Sequence, residues 1–160
     1  MWKEQDLIHN DPDLSEAFTV IQEKESFEGY ISAIVELICN NKLSRENINN
    51  TLKEFNIYDI EFVKVDMLDL ILHYIYFIIE DHIISEKEWK NAEFLKLYFK
   101  IKEGDFLKYR HKEVQQVCQK QYARIISDGI IDYDEELFMV GMQGLFDLGY
   151  DQLEKLKNKQ

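Results

Sequence analysis

Proline occurs once in this chain, at Pro12, and glycine only six times in 160 residues. So few breakers exclude a fold built of many tight turns. Runs alternating valine or threonine with polar residues are also missing, so no strand is expected. Cysteine is scarce. Cys39 and Cys118 stand alone, without a CxxC spacing, which excludes a disulfide framework and a cysteine zinc site. Both sit in apolar helical stretches and read as small buried hydrophobes. No apolar run is long. The most apolar stretch, Met67 to Ile79, is about 13 residues and is interrupted by Asp69 and His73. A bilayer span needs about 20 residues, so a buried central helix fits and a membrane span does not. The first residues, MWKEQDLIHNDPDL, lack the apolar core of a signal peptide, and a cytoplasmic location is the expectation. A phosphate-binding glycine loop, an HExxH pair and a nucleophile elbow are all missing. His9, His73, His82 and His111 share no spacing. These absences argue against an enzyme.

What the chain does have is charge and apolar bulk. Hydrophobic residues make up 46% and aromatics 13%, enough for a core despite a net charge of −12. The charge is uneven. Lys96 to Arg124 carries a net +5 and the remainder −17. The basic segment either packs against acidic neighbours or offers a basic face, with Lys108, Arg110 and Lys112, to an anionic partner. The overall acidity counts against nucleic acid as that partner.

Helical periodicity runs through the chain. Asp11-Pro12-Asp13 signals a turn and cap before a helix over about 14–25. Ile31, Ile34, Val35 and Ile38 form one apolar stripe, and Ile48, Leu52 and Phe55 another. Asn56 to Ile60 reads as a loop. A long helix starts near Glu61 and becomes apolar nearly all round. Further helices are expected from Ser85 to the KEGD stop at Lys102–Asp105, over about 106–127, from Asp132 to about Leu148, and from Tyr150 to about Lys157. Gly104 and Gly149 read as helix stops. Gly141 and Gly144 read as places of close helix approach. The expected fold is all-α, a single multihelical bundle of about seven or eight helices around a buried central helix near 61–80.

Self-comparison exposes a repeated joint. LICNNKLSREN (Leu37–Asn47), IIEDHIISEKE (Ile78–Glu88) and IISDGIIDYDE (Ile125–Glu135) align without gaps, at spacings of 41 and 47 residues. Two aliphatics close a helix. Then comes Asn40, Asp81 or Asp128, followed by Asn41, His82 or Gly129, types suited to the left-handed stop. An aliphatic residue at Leu43, Ile84 or Ile131 can staple the next helix. Ser44, Ser85 or Asp132 caps it, and Glu88 and Glu135 complete capping boxes.

Asp81 and Asp128 remain unexplained, because a helix C-terminus disfavours negative charge. Either they accept amides from the turn, or Asp81, Glu88, Asp128 and Glu135 hold a divalent cation, which prefers carboxylate oxygens. No other cofactor is suggested. A standard EF-hand is not expected: its first and third ligand positions would be Arg124 and Ile126.

These residues resemble the TerB-like tellurite-resistance family. IISDGIIDYDEEL (Ile125–Leu137) is the closer match to the family's acidic turn, cap and glutamate; IIEDHIISEKEW (Ile78–Trp89) is the looser one. FKIKEGDF (Phe99–Phe106) is similar to the connection between the family's halves. The resemblance covers roughly 62–148, with 1–60 weaker, and implies one helical domain over 1–160. It also implies a cytoplasmic stress or tellurite-resistance protein, with Asp81, Glu88, Asp128 and Glu135 as the acidic motif residues. His82 departs from the family's glycine, and Asn40 and Asn47 replace both acids in the first joint. The functional expectation is a non-catalytic binding or scaffold domain with a protein partner; the alternative is a divalent-cation module.

Overall fold

The structure is a computed structural model that describes residues 13–80, 84–127 and 132–158, with side chains described except at 127, 132–138 and 157–158. Among the described residues there are eight α-helices and no strand. They are α1 (Leu14–Lys24), α2 (Gly29–Cys39), α3 (Arg45–Glu54), α4 (Lys64–Ile79), α5 (Glu86–Tyr98), α6 (Asp105–Ser127), α7 (Asp132–Phe146) and α8 (Tyr150–Asn158). A short 3-10 helix, Ile60–Val63, leads into α4 where the sequence suggests that the long helix itself begins. Every α-helix adds buried side chains to one hydrophobic cluster.

Helix α4 is the central element. Nine of its side chains are buried, among them Met67, Leu68, Ile71, Tyr74, Ile75 and Ile78. It is not apolar all round, however. Asp66, Asp69, His73 and Tyr76 recur at three- and four-residue spacing and form one stripe that stays open.

Local capping chemistry sets the helix starts. Asp13 caps α1 and exchanges bonds with Glu16 in a capping box. Ser44 accepts the Asn47 N–H at 3.0 Å. The Asn47 side chain donates to the Lys42 carbonyl at 2.7 Å, in place of a glutamate's reach back to the cap. Ser85 and Glu88 close a full capping box at 3.2 and 2.9 Å. The third joint's turn lies outside the described residues, although α7 does begin at Asp132.

The helix stops use left-handed residues, in part not those the sequence suggests. Asn41 has φ +57 and the Lys42 N–H returns to the Leu37 carbonyl, as the joint pattern expects. The stop after α5 is Lys100 (φ +56), with Gly104 further on also at positive φ (+90), and the stop after α7 is Asp147 (φ +57), not Gly149. The reason for the second lies in Lys96 of α5. Its ammonium, 5% exposed, donates to the Gly144 carbonyl at 2.7 Å and to Asp147 at 3.0 Å. A cation held at the C-terminus of α7 satisfies the Gly144 carbonyl and complements the helix dipole.

The two glycines of α7 differ. A Cβ at Gly141 would fall inside the ring of Trp89, so this is a true close approach. Gly144 has no neighbour near such a Cβ. Its role is to present the carbonyl that Lys96 takes.

Candidate functional site

Three polar links connect α4 to α6. At the start, Lys64 bonds Asp105 at 2.9 Å and Glu61 at 3.0 Å, and both Lys64 and Asp105 are nearly buried. The Asp105 carboxylate also accepts the Lys102 N–H at 2.7 Å. These carboxylates raise the Lys64 pKa against the pull of desolvation. Further along, Arg110 grips Asp69 with two nitrogens, at 2.6 and 2.9 Å. At the far end, Arg124 donates to the carbonyls of Ile79 and Glu80. A cation therefore stands at the C-terminus of the central helix, the place where the sequence calls for compensation. A fourth link comes from α2: the Tyr30 hydroxyl donates to Asp66. Burial first, then that carboxylate, pushes the Tyr30 pKa up to about 12.

Helix α6 is broken at Arg110, whose φ of −138 and ψ of 42 are not helical. The break has a visible partner. The Arg110 guanidinium takes the Tyr109 carbonyl at 2.9 Å while holding Asp69.

The basic residues singled out in the sequence thus separate. Arg110 has its charge met by Asp69. Lys108 and Lys112 are exposed, with the Lys108 ammonium 5.1 Å from the Tyr109 ring. Lys96 and Arg124 face inward on carbonyls, which accounts for part of the segment's positive bias.

The acidic residues cannot be compared as a set. Glu88 is 1% exposed and serves as the cap of α5. Asp81 and Asp128 lie outside the described residues, as does the side chain of Glu135. Among the described residues no three His, Cys, Asp or Glu side chains gather as metal ligands. Cys118 is buried, and desolvation pushes its thiol to about 12. Cys39, expected to be buried, is only partly so: it is the last residue of α2, packed at the core's edge. No described helix is long and apolar enough to cross a membrane.

Two surface features carry little sequence signal. The first is the segment between α3 and α4. Asn56 (φ +62) stops α3, and the Ile57 N–H returns to the Leu52 carbonyl at 3.0 Å. Asp59 caps the 3-10 helix through the Glu61 N–H at 2.9 Å. Ile60 and Val63 point into the core, which leaves Tyr58 72% and Phe62 82% exposed beside a 42% exposed Phe55. Two aromatics of the basic segment, Tyr98 and Tyr109, are more covered. Tyr98 leans on Phe94 at 4.4 Å, and Tyr109 is 38% exposed. The second feature is a cleft of about 330 Å³ where α1 and α4 end, with His73, Tyr76 and Phe77 in its wall.

Compared with known proteins, the chain matches no family model, no curated protein and no solved structure.

Proposed function

We propose that this chain is a non-catalytic binding domain that docks on a partner protein through the aromatic segment 55–62. The exposure of Phe62 and Tyr58 on a segment pinned at both ends carries the reading. Burying a fully exposed phenylalanine contributes about 1.5–3 kcal/mol, so leaving two aromatics in water forgoes stability unless something covers them. Aromatic anchors on a rigid support are what central interface residues consist of. Glu54, Asp59 and Glu61 flank them and are exposed, which favours a partner with basic residues around an apolar pocket. Lys64 pairs with Glu61 as well as Asp105, so Glu54 and Asp59 carry most of the free charge.

The TerB-like resemblance supplies the setting for the test, which is tellurite stress. Proximity labelling in stressed cells should enrich a protein with wild type and lose it with the Tyr58→Ser/Phe62→Ser double variant. Helical content should be unchanged, because neither side chain is in the core. Equal enrichment with both proteins would overturn the reading.

A further inference from the structure

The cleft at the ends of α1 and α4 has a chemistry of its own. Phe18 of α1 stacks on Tyr74 of α4 at 6.1 Å, and beyond that contact both C-terminal ends open on the cleft. Glu25 and Glu80, the residues that cap these two ends, stand on its rim. Each helix C-terminus carries about half a negative charge in its unsatisfied carbonyls. Arg124, behind the wall, offsets the α4 end, and Lys24 is the one ammonium among the lining residues. The rim therefore holds two carboxylates against one lysine. Along the neighbouring wall, burial first and then Glu113 and Asp69 raise the Tyr76 pKa, with Arg110 opposing.

The interior is apolar and aromatic. Ile21 forms part of it, with Phe77 and Tyr76 beside it. His73 lies there too, fixed edge-to-face on Phe27 at 5.3 Å. Aromatic faces attract cations, and the attraction grows as water is excluded. A volume of about 330 Å³ is at the small end of ligand sites.

We infer that this cleft binds a small organic monocation with an apolar body, of the arylalkylammonium or benzylammonium class. The ring would pack on Ile21 and Phe77, and the cationic head would lie between Tyr76 and the carboxylates of Glu25 and Glu80. This site is separate from the aromatic docking segment and does not depend on it.

The test uses the full chain and benzyltrimethylammonium, with phenylacetate and benzyl alcohol as probes of the same ring with negative or no charge. Binding is read from the methyl resonances of Ile21 and by calorimetry. The expected order is the ammonium first, benzyl alcohol much weaker, and phenylacetate weakest. Glu25→Gln/Glu80→Gln should weaken the ammonium by about fivefold per carboxylate, and Lys24→Gln should strengthen it by a similar factor. Both changes are on exposed side chains and leave the core intact. Phenylacetate binding as tightly as the ammonium would overturn the inference. So would unchanged affinity in the double variant, or no Ile21 shift with about 10 mM ammonium.

Discussion

Arg110 and Asp69 form a two-pronged ion pair at the one place where helix α6 leaves helical geometry. The same guanidinium also takes the carbonyl of Tyr109. The pair thus holds the break as well as joining two helices. Asp69→Asn keeps the shape and removes the charge. Both side chains are partly exposed, so the expected loss is modest, about 1 kcal/mol in urea unfolding. Amide exchange should quicken around residues 108–112. An unchanged midpoint together with unchanged exchange would show that the break is set by something else.

Gly141 and Gly144 give an internally controlled comparison. Gly141→Ala forces a methyl group into the Trp89 ring and should cost about 1–3 kcal/mol through overpacking. Gly144→Ala meets nothing and should gain up to about 1 kcal/mol from helix propensity. Thermal melts of the two variants should move in opposite directions; a shared direction would contradict the packing described.

Glu88 can be tested as a cap and as an ion ligand in one experiment. Ser85→Ala should cost about 1 kcal/mol. Glu88→Gln retains an acceptor for the Ser85 N–H and should cost less than Glu88→Ala. If calcium or magnesium raised the melting temperature of wild type but not of Glu88→Gln, capping would not be the whole role of this residue.

Tyr30 makes alkaline stability pH-dependent. Its folded pKa, about 12, exceeds the ordinary 10.0 because the neutral hydroxyl is buried and donates to Asp66. For a group whose folded value is raised, the contribution is complete below the unfolded value and disappears as pH climbs through the folded one. Stability should therefore fall between about pH 10 and pH 12. Lys64, also raised, contributes to the same decline. Tyr30→Phe should show a shallower fall over that window, and phenolate absorbance in wild type should show a late-titrating tyrosine that the variant lacks. A variant with an identical alkaline profile would refute the assignment.

Features governed by near neighbours in sequence were legible. Asn41 as a left-handed stop, Ser44 as a cap and the Ser85–Glu88 box each involve residues within five positions, and all three are present. The central helix was legible because its run of apolar residues has no other home than a core. What escaped the sequence depends on partners far along the chain. Gly104 and Gly149 are good stop residues by type, and Gly104 does take positive φ, yet Lys100 and Asp147 hold the left-handed positions at the helix ends themselves. For Asp147, the deciding contact is with Lys96, 51 residues away. Arg110 looks like a surface cation until Asp69 is placed beside it, 41 residues away. The candidate sites were hidden for a similar reason. Tyr58 and Phe62 look like core material, and only the inward turn of Ile60 and Val63 sends them outward. The cleft exists only where two separate helices end together.

The three links between α4 and α6 follow the same order along both helices: Lys64 with Asp105, Asp69 with Arg110, and Ile79 and Glu80 with Arg124. The two helices are therefore laid side by side in one sense and fastened from first turn to last. Sliding one against the other by a single turn, about 5.4 Å, would break the Lys64–Asp105 pair and the Arg124 carbonyl bonds together, and only Arg110 would meet another carboxylate, Asp66, one turn back. A shifted register would therefore keep one charged link of the three, and the first and last turns are what hold the pair in place.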